Sequence, residues 1–291
     1  MAFVAVRQPF DFGLTTLRFR VFGPDRATLL HDGVLHRAVG GRELRIAASR
    51  GGVDVDPLDS DTEPVVSRLL GLEFDLAAFY AWAGGIAGEA ADARPETPDA
   101  AGARGTTAET SLAQLAARFA GLRPSLAPDP FEALVTSITA QQVSLRSAVA
   151  IRNRLIGRFG MRAGLAWAFP TRRRLVDATE QELVALGFSR RKADYVLGLA
   201  RSELDLTALA ALPDEEVKAR IVQQRGLGEW TADWFLARHL GRPQAWPAGD
   251  LALRKAVSAF YGDVDVRAAG ARFEPFQNLT AHYLLATFLT P

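Results

Sequence analysis

The spacing of apolar residues changes once along this chain, and that change most restricts its possible folds. In 15–23, TTLRFRVFG, Leu17, Phe19 and Val21 alternate with Arg18 and Arg20, and 42–50, RELRIAASR, repeats the pattern with Leu44 and Ile46. Period-2 alternation is the mark of a strand with one buried and one wet face. The pairs Gly23-Pro24, Asp32-Gly33 and Gly40-Gly41 supply turns between such strands, which predicts an antiparallel sheet. A helical stretch follows over 62–83, and residues 87–107 then lose nearly all large apolar side chains, which predicts a linker or long surface loop. From about residue 111 to the end the apolar residues fall at helical spacing. A length of 291 residues favours two domains, each able to bury a core. The expected fold is α+β, with a β-rich antiparallel N-terminal domain over 1–106 that includes helices and ends in the linker, followed by an all-α bundle over 107–291.

Local signals place the helices of the second domain. Asp129 followed by Pro130 predicts an N-cap with proline at the first helical position, ahead of Phe131, Leu134 and Ile138 on one face. A second helix is expected from about Ser144, and shorter ones over 180–186, 190–201, 214–223, 229–240, 250–261 and 276–289. Two segments, LGFSRRKADYVLGLA (186–200) and LGEWTADWFLARHL (227–240), share Leu-Gly, a polar turn and Ala-Asp-aromatic before an apolar helix. One helix–hairpin–helix connection is thus used twice.

Composition removes several kinds of chemistry. With no cysteine there is no disulfide, thiolate nucleophile, Cys-ligated zinc or iron–sulfur cluster, and the four histidines lack metal-ligand spacing. Catalysis would fall to oxygen and nitrogen groups of other side chains. No apolar run reaches the length of a membrane span and the N-terminus lacks a signal-peptide pattern, so no membrane association and a cytoplasmic location are expected. The net charge of +1 divides unevenly: residues 1–106 hold 11 Arg and no Lys against 15 acids, whereas 107–291 hold 23 basic residues against 18 acids. The basic character belongs to the second domain, as either a nucleic-acid surface or an ordinary solvated one.

The stretch GLGEWTADW (226–234) concentrates the candidates. Gly226 and Gly228 allow positive φ and close backbone approach, and the helix start beyond them presents unpaired N–H groups suited to a phosphate oxygen. A glycine-capped turn between two helices explains the same residues without a ligand. Trp230 and Trp234, four apart, share a helix face and suit either a pocket or a core. Asp250, after Pro247-Ala248-Gly249, suits an N-cap.

Taken together, GLGEWTADWFLARHLGRPQAWPAGDLALRK, the upstream GLRPSLAPDPFEALVTSITAQQVSL and LGFSRRKADYVLGLAR between them resemble the helix-hairpin-helix DNA glycosylase superfamily, within it the 3-methyladenine DNA glycosylase II branch. The resemblance covers about 120–291 and, loosely, the N-terminus. It implies a monomeric enzyme of base-excision repair that acts on damaged double-stranded DNA, flips a base from the duplex and needs no cofactor. Asp250 would be the catalytic carboxylate, stabilising an oxocarbenium-like sugar, with Trp230, Trp234 and Gln141 in the base pocket. Arg225, Gly226, Leu227, Gly228, Thr231, Arg191 and Lys192 would meet the DNA backbone. Carbonyls near Gly226 and Gly228 would hold a monovalent cation, with no transition metal. Pro124 and Leu126 are the wedge candidates. Members that also cut the strand carry a Lys at the position taken as Thr231, so monofunctional removal of alkylated purines is expected. Departures from the family pattern are Gln224-Arg225 in place of Leu-Pro before the hairpin, and a last helix with Phe276, Tyr283 and Leu285 but no tryptophan. Two alternatives remain open: the same machinery acting on a neutral lesion such as hypoxanthine or an oxidised purine, or a damaged-DNA-binding module without catalysis.

Overall fold

Two tight turns organise the N-terminal sheet. Asp32-Gly33 and Gly40-Gly41 all take positive φ, and they close hairpins between β2 (Thr28–His31), β3 (Val34–Val39) and β4 (Arg42–Ser49). β5 (Gly52–Asp56) follows, and β1 (Ala2–Ala5) pairs beside it, giving a five-stranded antiparallel sheet in the order β1-β5-β4-β3-β2. Leu35, Leu44, Ile46, Val53 and Val55 point to one face and meet Val66, Leu69 and Leu70. The computed structural model describes residues 1–92 and 112–289.

The strand expected over 15–23 is instead two short helices, α1 (Phe12–Thr15) and α2 (Leu17–Val21). Leu17 and Val21 are also spaced i, i+4, so five residues cannot separate the two periods. Asp11, whose side chain accepts from the Leu14 N–H, starts a helical turn and tips the balance. This change turns Arg18 toward the interior rather than to solvent.

Beyond the sheet, α3 (Glu63–Leu69) leads to α4 (Leu76–Asp92), so the first residues of the expected linker are helical; the remainder of that segment lies outside the described residues. Then come α5 (Leu112–Arg118), α6 (Pro130–Ala140) and α7 (Leu145–Phe159). The Asp129 side chain caps α6 as expected, and α7 begins where a helix was expected, with the Ser144 side chain as its cap. The second half is not purely helical: β6 (Met161–Ala163) and β7 (Ala166–Ala168) form a hairpin that packs beside β3. Three-residue strands carry too little periodicity to be read from sequence. The remaining helices are α8 (Arg172–Val176), α9 (Glu180–Ala185), α10 (Arg190–Arg201), α11 (Asp214–Val222) and α12 (Glu229–Phe235), the last continuing as a π-helical turn over Leu236–Leu240. α13 (Leu251–Tyr261), α14 (Val266–Ala269) and α15 (Gln277–Ala286) complete the chain.

Two helical cores lie next to the sheet. One gathers α6, α7, α9, α10, α11 and α12. The other joins Leu76 and Phe79 of α4 to α5, α13 and α15, with Tyr283 fully buried among them. Residues 74–83 thus share a core with the second half of the sequence. A buried ion network also ties sheet to bundle: Arg37 of β3 donates to Glu132 of α6 at 2.5 and 3.2 Å, while Arg152 of α7 bridges Glu132 and Asp25 at 2.6 Å each. Burial alone would raise the Glu132 carboxyl, but the two guanidiniums overcome it and hold the group down at about 2. Among the described residues, no helix is long and apolar enough to cross a membrane.

Candidate active site

The hairpin between α11 and α12 takes its shape from one glycine. Gly226 has φ +85°, and a Cβ there would collide with the Tyr195 ring of α10. Leu227 is buried and anchors the turn, whereas Gly228 has ordinary extended backbone, φ −111°, with open space around it. The N–H groups of Gly228, Glu229 and Trp230 have no partner among the described residues, and no side chain caps α12. These outward donors and the helix dipole favour an anion.

The side chains around this turn are partly committed. Arg225 is exposed and pairs with Asp194 at 2.9 Å. Arg191 donates to the Tyr195 hydroxyl at 3.1 and 3.3 Å. The Lys192 ammonium donates to the Thr139 carbonyl at 2.9 Å, and partial burial lowers its pKa. Gln141 caps α6, and its Nε2 donates to the Gly226 carbonyl at 2.9 Å. It therefore braces the hairpin instead of lining the cavity with the tryptophans, and it occupies one of the two carbonyls expected to face a cation.

On α12 and its extension, Trp230, Trp234 and Arg238 recur every four residues along one face. Asp250 meets that face from the start of α13. Its Oδ1 accepts from the N–H groups of Ala252 and Leu253 at 2.9 and 3.0 Å. Its Oδ2 accepts from the indole Nε1 of Trp230 at 2.9 Å and of Trp234 at 3.1 Å. Four donors saturate the carboxylate. The N-cap reading of Asp250 holds through Oδ1, and Oδ2 is the oxygen turned to the two indoles.

These groups border a cavity of about 420 Å³ that also reaches Arg18 and His282. The Arg238 guanidinium lies 3.9 Å from the centroid of the Trp234 ring, a cation–π contact. Burial, reinforced by the charge of Arg18, lowers Arg238 to about 9, so it stays protonated at neutral pH. His282 meets the same indole edge-on, with centroids 6.0 Å apart. Its Nδ1 lies 2.9 Å from the Asn278 carbonyl and burial lowers it to about 3, so the ring is neutral, with hydrogen on Nδ1. Its buried Nε2 lone pair has no partner among the described residues.

Three expectations are corrected. Thr231 is only 1% exposed and faces the core, so its side chain cannot meet the DNA backbone, and an amine at 231 would not reach the cavity. One residue of helix turns a side chain by about 100°, and the position that faces Asp250 is Trp230. Pro124 and Leu126 are buried and cannot serve as a wedge; the exposed apolar side chains lining the cavity are Leu145, at the start of α7, and Phe288. Arg18, Arg238 and His282 were missed altogether. Only Arg238 carried a sequence signal, the step of four from Trp230 through Trp234.

The family model described as HhH-GPD superfamily base excision DNA repair protein matches residues 135–273. A DNA-3-methyladenine glycosylase of Bacillus subtilis is 30% identical over 158 residues, covering 52% of this chain and 52% of that protein. DNA-3-methyladenine glycosylase 2 of Escherichia coli is 32% identical over 148 residues, covering 49% of this chain and 50% of that one. The chain thus spans about half the length of these relatives. A solved structure, the 3-methyladenine DNA-glycosylase from Archaeoglobus fulgidus, superposes with a TM-score of 0.81 at 25% identity, covering 98% of this chain and 97% of that chain. The hairpin, the Trp-bearing helix and the Asp250 cap all lie inside the span that matches the HhH-GPD superfamily of base excision DNA repair proteins.

Proposed function

We propose that the protein is a DNA glycosylase of base-excision repair, acting as a monomer on double-stranded DNA to hydrolyse the N-glycosidic bond of alkylated purines of the 3-methyladenine and 7-methylguanine type. The observation that carries this reading is Asp250, a carboxylate held by four N–H groups at the wall of a base-sized, Trp-lined cavity. The names of the similar proteins support it.

The geometry suggests how the work divides. The unpaired N–H groups after Gly226-Leu227-Gly228, with Arg225 and Arg191 nearby, receive backbone phosphates and fix the register on the duplex. The target nucleotide then leaves the stack, and its base enters the cavity. Leu145 is placed to fill the vacated space. As the C1′–N9 bond stretches, positive charge grows on the sugar. A carboxylate held by four N–H groups is a well-oriented negative charge, so Asp250 acts by stabilising the oxocarbenium ion. An N-alkylated cationic purine leaves as a neutral molecule and needs no general acid. Trp230 occupies the position that faces Asp250, and among the described residues no lysine lines the cavity, which supports a product that is an abasic site formed without a Schiff base.

The test uses duplexes carrying one 7-methylguanine. Wild type is expected to generate abasic sites that are cleaved only after alkali treatment, and Asp250→Asn to slow release at least a hundredfold while still binding the duplex. Binding without any abasic product from wild type would favour a recognition module instead.

A further inference from the structure

Residues 142–147 are all exposed and carry the chain from α6 into α7, with Leu145 near their end. At the start of this turn Gln141 ties it to the hairpin, through its bond to the Gly226 carbonyl at 2.9 Å. At its end Arg146 borders a separate cleft of about 460 Å³, whose other wall is Arg20, Val21, Phe22, Gly23 and Pro24 of the N-terminal half. Phe22, Gly23 and Val149 line both this cleft and the cavity beside Asp250, so the two adjoin. The Leu145 turn therefore runs from the hairpin to the cleft.

Two guanidiniums border the cleft and, among the described residues, no carboxylate does. Both arginines are exposed; Arg146 has no ion pair or side-chain hydrogen bond among the described residues, and Arg20 donates only to the Gly13 carbonyl at 3.0 Å. Other exposed arginines are neutralised, Arg158 further along α7 by Glu182 at 2.9 Å and Arg225 by Asp194 at 2.9 Å. Asp25, next to the cleft in sequence, is taken up by Arg152 and by the N–H groups of Ala27 and Thr28. Like charges on the two walls of one cleft repel, and a phosphate between them turns that cost into attraction. The charge balance of the N-terminal half, 11 Arg against 15 acids, hides this site. On α2 a step of two residues turns a side chain by about 200°, so Arg18 faces the cavity and Arg20 the cleft.

We propose that Arg20 and Arg146 form a second backbone-binding site, in which the N-terminal half holds a phosphate on one flank of the duplex while the hairpin holds the other flank. The proposal rests on the glycosylase reading and adds a contact surface to it. A duplex opened at one nucleotide restacks unless both sides of the gap are held, and deforming it draws on contacts made beyond the gap. Anchors at the two ends of the Leu145 turn place the deformation between them. Phosphate contacts fix register without reading bases, so this site serves any sequence.

The experiment measures affinity against salt by fluorescence anisotropy, on duplexes carrying one tetrahydrofuran abasic-site analogue that fixes where the protein sits. One duplex has the analogue at its centre, and two others keep only a few base pairs on one flank or on the other. On the central duplex Arg20→Gln and Arg146→Gln are each expected to flatten the slope of log affinity against log salt by about one. Arg20→Lys, which keeps the charge, and Arg158→Gln, which removes a charge elsewhere on α7, are expected to keep the wild-type slope. Shortening one flank should abolish the effect of Arg20→Gln and spare that of Arg225→Ala, and shortening the other should do the reverse. A wild-type slope in Arg20→Gln, an equal change in Arg158→Gln, or loss of both effects on the same flank overturns the proposal alone. Should Arg20→Gln fail to fold, Arg146→Gln carries the same comparisons. Failure of wild type to prefer the analogue duplex over an undamaged one overturns the proposal together with the proposed function.

Discussion

Replacing Glu132 with glutamine would test how the sheet is held to the helical bundle. The Glu132 carboxylate lies between the guanidiniums of Arg37 and Arg152 and is 5% exposed, so solvent screens the pairs little. Its folded pKa of about 2 lies below the ordinary carboxyl value of 4.5. A depressed carboxyl contributes stability that is fully present above 4.5 and disappears as pH falls toward 2. At 1.36 kcal/mol per unit that amounts to about 3 kcal/mol. Glu132→Gln removes this term and leaves two buried guanidiniums short of a counter-charge, with Asp25 still pairing one of them. Breaking a buried pair in this way costs about 3–5 kcal/mol. Urea unfolding at pH 7, followed by intrinsic tryptophan fluorescence, should show that loss. Between pH 5 and 3 the wild type should lose stability faster than the variant, so the two curves converge on acidification. A variant within about 1 kcal/mol of wild type at pH 7, or parallel curves below pH 5, would refute the reasoning.

Two further outcomes concern the hairpin. Gly226→Ala combines positive φ with a collision against the Tyr195 ring and should destabilise the protein by about 2 kcal/mol or more, whereas Gly228→Ala, with extended backbone in open space, should fold normally; chemical denaturation of both variants checks the contrast. Arg225→Ala should weaken binding equally to damaged and undamaged duplexes and flatten the slope of log affinity against log salt by about one, measured by fluorescence anisotropy. The Asp194 partner of Arg225 reduces the first effect without changing its direction.

Turns and caps act within about four residues, and these were legible in the sequence. Asp32-Gly33 and Gly40-Gly41 close hairpins, Asp129 caps α6, α7 starts after Ser144, and Gly226 takes positive φ. Sustained helical periodicity likewise located most helices after residue 111, because amphipathic spacing survives any later packing choice. Short elements are not legible: the five residues of α2 fit both a strand and a helix period, and β6 and β7 are too brief to show any. The motif placed Asp250, Trp230 and Trp234 in one site, but their bonding needed the fold, since twenty and sixteen residues separate the partners. Position 231 shows the limit most sharply, because an error of one residue on a helix exchanges cavity for core. What only tertiary structure decided is the chemistry opposite Asp250. Arg18, Arg238 and His282 come from α2, the extension of α12 and α15, and no local rule brings three such distant segments to one wall; burial and mutual charge then set their protonation.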